Sequence, residues 1–154
     1  MKSRMITLPE AITEIVRACE VCNVGMVDQE NMPYTLPFNF GYDEGKVYLH
    51  SAPVGRKIEI LRNNPNVCIS FSTAHVLYKQ SEQVACSFGM KYKSVLIKGK
   101  VEFIEDYDEK IRILNCIMKQ YTKRDDFSYS APSVINVAVM KVVADSIEAK
   151  AFGY

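Results

Sequence analysis

The stretch Val47-Tyr48-Leu49-His50-Ser51-Ala52-Pro53-Val54-Gly55-Arg56-Lys57 changes its period partway along. From Lys46 to Ala52 the residues alternate, with Val47, Leu49 and Ser51 facing one way and Tyr48, His50 and Ala52 the other, the two-residue period of a strand. Pro53 cannot continue a ladder. From Gly55 to Asn63 the period becomes helical: Val54, Ile58 and Leu61 share a face, and Asn63-Asn64-Pro65 ends it. A strand running straight into a helix leaves the first backbone N–H groups of that helix unpaired, here beside a hydroxyl, a glycine and two adjacent cations. Such a corner favours an anion, through the free donors and the helix dipole. Arg56 can grip a phosphate with two parallel hydrogen bonds, and Lys57 adds a point charge. The alternative is that both are solvated cations on a short surface helix.

Working outward, Thr7-Leu8-Pro9-Glu10 predicts a capping box with an early proline, followed by Ile12, Ile15, Val16 and Cys19 on one helical face. A short strand is expected at Val24–Val27 and a turn at Asp28–Asn31. A second strand follows at Tyr34–Tyr42, irregular around Pro37. Asp43-Glu44-Gly45 is a tight turn into the opening strand. Downstream, Asn66–Thr73 alternates, Val67, Ile69 and Phe71 on one side, Cys68, Ser70 and Ser72 on the other. Strands are expected again at Gln83–Phe88 and Tyr92–Ile104, with Gly99 as a bulge. Asp106 and Glu109 cap a helix to about Tyr121, with Ile111, Leu114, Met118 and Tyr121 inward. Thr122–Pro132 reads as a mobile loop near the pocket mouth, and Val134–Ile147 as a valine-dense last strand. Six or seven strands with two or three edge helices predict a mainly β (α+β) antiparallel barrel, a single domain over residues 1–154.

Composition removes several function classes. With 48% hydrophobic and 24% charged residues, 7 Gly and 6 Pro, the 154-residue chain is neither disordered nor of low complexity. Nineteen basic against eighteen acidic residues give a net charge of +1. A protein that binds duplex nucleic acid through many phosphates is far more basic, so no nucleic-acid partner is expected. The longest apolar run, Val137–Met140, is far short of the roughly 20 residues of a membrane span. The start Met1-Lys2-Ser3-Arg4-Met5 lacks the apolar region of a signal peptide. Five cysteines at irregular spacings do not form a disulfide framework, and a cytoplasmic location is expected.

Three further features carry competing readings. From Lys79 to Lys100 there are five lysines against the single acid Glu82, a net of +4. Interleaved with Tyr92 they could track a nucleic-acid backbone. Val95, Ile97, Val101 and Phe103 at the alternate positions favour the outer face of a strand instead. Cys19-Glu20-Val21-Cys22 is a lone C-x-x-C without a second ligand pair, so no metal is expected, and Cys19 reads as core packing. His50 and His75 are the two imidazoles; His75 has no motif around it and reads as a loop residue.

Taken together, the motifs resemble a known family. Pro33-Tyr34 and Pro37-Phe38-Asn39-Phe40-Gly41-Tyr42 come first, then the His50-Ser51-Ala52 and Gly55-Arg56-Lys57 corner. Asn64-Pro65-Asn66-Val67-Cys68 and Tyr92-Lys93-Ser94-Val95 with Gly99 follow. In this order over roughly Met1 to Tyr121 they resemble the FMN-binding split-barrel proteins related to pyridoxamine-phosphate oxidase, most closely the nitroimidazole-resistance (Nim) branch. The resemblance implies that Arg56 and Lys57 hold the FMN phosphate and that Ser51 adds a hydroxyl. It places Leu36, Pro37, Phe38 and Asn39 along the ring, with His50 and Ala52 lining its pocket and Gly55 in the corner. Tyr92 and Ser94 match positions used near the flavin. FAD is a possible substitute for FMN. The flavin sits at a dimer interface in that family, which implies a homodimer. Pyridoxamine-phosphate oxidases end in an Arg-containing segment, whereas this sequence has no Arg after Arg124, which speaks against vitamin B6 synthesis.

The activity implied is that of a flavin-dependent oxidoreductase passing electrons from a reductant such as NAD(P)H to a small organic acceptor, for example a nitroaromatic. His50 is the candidate catalytic residue, donating a proton as the acceptor is reduced; alternatively it only packs on the ring or satisfies a backbone carbonyl. Related split barrels bind haem, so a non-catalytic flavin- or haem-binding module, with His50 or His75 as axial ligand, is the competing class. A dimer scaffold that has lost its flavin site is the third.

Overall fold

The computed structural model describes residues 2–154; Met1, the first residue of the start read above, lies outside them. The elements run β1 (Ser3–Ile6), α1 (Pro9–Arg17), β2 (Cys22–Val27), β3 (Pro33–Phe38), β4 (Phe40–Asp43), β5 (Lys46–Ser51) and α2 (Arg56–Asn63). They continue with β6 (Asn66–Tyr78), β7 (Gly89–Ile104), α3 (Tyr107–Thr122), α4 (Ala131–Ile135) and β8 (Ala138–Phe152). All eight strands belong to one antiparallel sheet in the order β3-β2-β6-β7-β8-β5-β4, with β1 also pairing β8. β3 and β4 are separated in the chain by Asn39 alone, yet they stand at opposite ends of that path. The sheet therefore curls until its ends approach, and no ladder joins them there. The result is the expected antiparallel split barrel.

Alternation decides what each face packs against. Val47 and Leu49 of β5 point into the barrel with Val24, Met26, Ile69, Phe71, Val95, Ile97 and Val142. Tyr48 points the other way, into a second cluster with Ile113, Leu114 and Ile117 of α3 and Val139. β5 is thus apolar on both faces because the barrel lies on one side and a helix on the other. Inside the barrel, Phe40 meets Phe71 edge-on at 4.9 Å between ring centres, a contact of about 0.5–1.5 kcal/mol beyond its buried area.

Several local expectations change. No side chain caps α1: Leu8 is its N-cap, Thr7 makes no capping bond, and Pro9 occupies the first turn. The strand expected at Tyr34–Tyr42 is broken at Asn39, not near Pro37, which pairs in register with Asn23. Val54 lies outside α2 and is 74% exposed. β6 extends to Tyr78, with its register shifting between Thr73 and Val76, so His75 lies in a strand irregularity and shares a hydrogen bond with Ser72 (2.7 Å). Gln83–Phe88 forms no strand; Ala85–Ser87 is a 3-10 turn in which the Ser87 hydroxyl contacts the carbonyls of Ser81 and Val84. The buried face of α3 is Lys110, Ile113, Leu114 and Ile117, displaced from the expected set except at Leu114. Its cap is as expected, Asp106 accepting from the Glu109 N–H at 2.9 Å. Val134 is buried in α4, and the last strand starts at Ala138.

Gly99 is the expected bulge: the β7–β8 register shifts between Lys98 and Gly99. A Cβ there would lie 2.5 Å from the Val143 carbonyl oxygen, so the two backbones meet only because this residue has no side chain. Gly99→Ala should cost about 2 kcal/mol, roughly 4–8 °C in Tm for a chain of this size. Thermal melts followed by circular dichroism test this, and an unchanged Tm would contradict it.

Candidate functional site

The break at Asn39 and the corner after β5 lie side by side. Between them is a cleft of about 540 Å³ lined by Leu36, Pro37, Phe38, Asn39, His50, Ser51, Ala52, Lys57, Asn136 and Val137. Eight of the residues singled out in the sequence therefore share one wall system, and its volume is that of an ordinary small-molecule pocket. Asn39 reaches the cleft because it belongs to neither strand. His50, Ser51 and Ala52 reach it because β5 ends there.

At the α2 start, Gly55 adopts φ 112°, in a region that favours glycine, although a Cβ would meet nothing within 4 Å. The residue is set by backbone conformation, not by space. The first helical bonds run from the Ile58 and Glu59 N–H groups to the Gly55 carbonyl. No side chain caps the helix, and the Arg56 and Lys57 N–H groups have no backbone acceptor among the described residues. Lys57 brings its ammonium over the Phe38 ring (5.9 Å to the centroid) at the cleft wall. Arg56 turns the other way. Its guanidinium lies over Tyr34 (4.7 Å) and its Nη2 donates to Asp28 Oδ2 at 3.4 Å, in a neighbouring groove shared with Glu30 and Glu59. The Ser51 hydroxyl donates to the Ala52 carbonyl (2.8 Å), so it must rotate before it can serve a ligand.

His50 makes no side-chain hydrogen bond among the described residues, and burial pushes its pKa below the ordinary value of 6.5. The imidazole is accordingly neutral near pH 7. A neutral ring can donate one hydrogen bond and accept another. The reading in which it satisfies a backbone carbonyl is not realised.

Tyr92 and Ser94 do not line the cleft. They lie on the face of β7 opposite Val95 and Ile97, turned away from the barrel interior. There Tyr92 stacks on Phe152 (5.8 Å), and Ser94 pairs in register with Ser72 and Lys150. His75 does not line the cleft either. The two C-x-x-C thiols are buried: Cys19 Sγ donates to the Ile15 carbonyl, and desolvation pushes Cys22 up to about 12, so both are inert core residues. No three His, Cys, Asp or Glu side chains cluster among the described residues.

Asn136 and Val137 also line the cleft, at positions where the sequence predicts only a strand. They reach the cleft because the 122–132 segment is tied to α3, where Asn115 Oδ1 accepts from the Phe127 N–H and the Tyr129 hydroxyl, before leading into α4. Buried Lys110 then donates to the carbonyls of Val134 (3.4 Å) and Val137 (3.0 Å). Lys110 faces inward only because the buried face of α3 differs from the one its apolar residues predict, so the sequence carries no sign of this wall.

Comparisons with known proteins agree with this fold. The family profile described as Pyridoxamine 5'-phosphate oxidase matches residues 9–151. A structure from Bacteroides thetaiotaomicron assigned to 5-nitroimidazole antibiotic resistance is 46% identical, with a TM-score of 0.86 over 98% of this chain and 88% of that one. A flavocytochrome from Azotobacter vinelandii aligns with a TM-score of 0.81 at 21% identity, over 99% of this chain and 70% of that one. An FAD- and haem-binding protein from Mycobacterium smegmatis aligns at 0.83 and 15% identity, over 97% of this chain and 74% of that one. At those identities the last two share the fold alone. No curated protein matches the chain.

The depressed His50 pKa makes stability depend on pH in a defined direction. The unfolded chain takes up a proton at this residue before the folded one does. The stability due to the neutral buried ring is therefore complete above the unfolded value near 6.5 and is lost as pH falls through the folded pKa. NMR titration of the two imidazole Cε1–H signals, assigned with His50→Asn, should find His50 titrating below 6.5. His50→Asn should also lose that part of the acid destabilisation. A His50 midpoint at or above 6.5 would refute the assignment.

Proposed function

The chain belongs to the pyridoxamine 5'-phosphate oxidase family, and we propose that within it the protein is a flavin-dependent oxidoreductase. In this reading it takes electrons from a reductant such as NAD(P)H and passes them to a small organic acceptor of the nitroaromatic class. The observation that carries the reading is a cleft walled in part by Leu36, Pro37, Phe38, Ala52 and Val137 and lined as well by Lys57, from the first turn of the uncapped helix α2. A flat ring with a dianionic tail needs this combination: apolar burial for one part and unpaired donors for the other. The 46% identity to the Bacteroides structure supports the nitroimidazole class of acceptor.

FMN fits the residues present, and the same cleft can hold the shared half of FAD. Lys57, Arg56 and the α2 N–H groups would hold the phosphate. Leu36 to Asn39, Ala52 and Val137 would line the ring. When bound, the flavin supplies the electron-transfer chemistry. The chain's part is to hold it, keep water from the apolar walls and orient the acceptor. His50, neutral and free of partners, offers a hydrogen bond to whatever occupies the cleft beside it.

Tyr92 and Ser94 lie off their own cleft, where a role beside the flavin would need a second copy of the chain. We therefore read the working form as a homodimer. No described helix is long and apolar enough to cross a membrane, and the five cysteines are unpaired.

Purified protein should carry, or take up, a yellow chromophore identified as FMN or FAD by its visible spectrum and mass. It should run at twice the chain mass in light scattering, and after anaerobic reduction by NADH or NADPH it should be reoxidised by a nitroimidazole. Arg56→Ala with Lys57→Ala should weaken FMN binding about 100-fold or more, as expected for two charge-assisted contacts. A protein that stays colourless with added FMN would end the flavin reading. A Soret band with haemin that vanishes in His50→Ala would establish the haem-binding alternative.

A further inference from the structure

Arg56 opens α2 at the anion corner with its guanidinium turned out of the cleft, and at 62% exposed it would by itself sample many rotamers. Long side chains lose up to about 2 kcal/mol of rotamer entropy when fixed, a cost that subtracts from ligand affinity. The turn between β2 and β3 offers the guanidinium a fixed partner before any ligand arrives. Asp28 Oδ1 accepts from the backbone N–H of Glu30 (3.0 Å) and of Met32 (2.9 Å), so the carboxylate is anchored by its own turn. Its Oδ2 is left for Arg56 Nη2 at 3.4 Å. The Met32 N–H, followed by Glu30 and Arg56, holds the Asp28 carboxyl below the usual range, so it is charged at neutral pH. Two residues beyond the turn, Tyr34 presents its ring face to the same guanidinium at 4.7 Å. One edge of Arg56 is thus held by a carboxylate and one face by an aromatic ring, while Nε and Nη1 have no acceptor among the described residues.

We propose that Asp28 and Tyr34 are positioning residues that pre-order Arg56 for the phosphate of the cofactor, and so set how strongly the protein prefers phosphorylated flavins over riboflavin. The inference rests on the flavin reading above. Neither residue lines the cleft. Both act through Arg56, by lowering the ordering cost of a bidentate grip on phosphate. Glu30 and Glu59 share the groove without bonding to the guanidinium, so Asp28 alone supplies the directional contact.

The test is titration of full-length protein with FMN and, separately, with riboflavin, which lacks the phosphate. Asp28→Asn keeps an oxygen for the turn N–H groups and removes the charge; Tyr34→Leu keeps apolar bulk and removes the ring. Each should weaken FMN binding about 5–10-fold and change riboflavin binding less than 2-fold, with the wild-type circular dichroism spectrum retained. In an Arg56→Ala background, Asp28→Asn should have no further effect on FMN affinity. FMN affinity unchanged or tighter in both single variants overturns the proposal, as does an equal fall for FMN and riboflavin. So does an Asp28→Asn effect that persists without Arg56. A wild type that binds neither flavin removes the functional reading and the inference together, and the wild-type titration alone identifies that case.

Discussion

Between Phe38 and Phe40 the chain crosses from one end of the sheet to the other, with Asn39 as the only intervening residue. Phe38 closes the ladder with β2 opposite Cys22, and Phe40 opens the ladder with β5 opposite Leu49. The Phe40 N–H at this break is accepted by the Tyr121 hydroxyl (3.0 Å), which in turn donates to the Glu20 carbonyl (2.8 Å). An unsatisfied buried backbone donor costs about 1–3 kcal/mol. A single phenol from α3 prevents that and ties together the start of β4 and the segment before β2. The split and the cleft beside it exist because the strand is interrupted here and the interruption is satisfied.

The layer outside the barrel does as much for the site as the barrel does. α3 buries Ile113, Leu114 and Ile117 against Tyr48 and Val139, so β5 is held from both sides as it runs to His50. From the same helix, Asn115 ties down the segment before α4, and Lys110 holds the carbonyl of Val137. One wall of the cleft is therefore carried by a helix that touches no part of it. The near-zero net charge acquires a local meaning too. Arg56 and Lys57, adjacent in the chain, reach the same face of β3 four residues apart, one over Tyr34 and the other over Phe38. The cationic corner is a local arrangement within a balanced surface.

What could be read beforehand tracks how local its cause was. Clean alternation at Asn66–Thr73, the Asp106 cap and the Gly99 bulge depend on neighbours in the chain, and the structure contains all three. The 83–88 segment has the residues of a strand but no partner strand, so it becomes a turn bonded to itself through Ser87. The face of α3 was misjudged because Ile111 and Met118 are as apolar as Ile113 and Ile117, and only the position of the barrel separates them. Thr7 has the right chemistry for a cap, but the helix starts one residue later, at Pro9, and Leu8 takes that place.

At the site the same division holds. Leu36 to Asn39, His50 to Ala52 and Lys57 were legible because they sit in short motifs at strand ends. Asn136, Val137, Lys110 and the hold of Asp28 and Tyr34 on Arg56 were not, since each depends on residues brought together across tens of positions. By itself, the amino-acid order determined an antiparallel barrel with a strand-to-helix corner rich in unpaired donors, because period, turn residues and adjacent charges act over a few residues. The tertiary structure alone decided that the barrel stays split at Asn39, that His50 is buried neutral, and that Arg56 and Lys57 part company. Burial and long-range pairing arise only when distant segments share one surface.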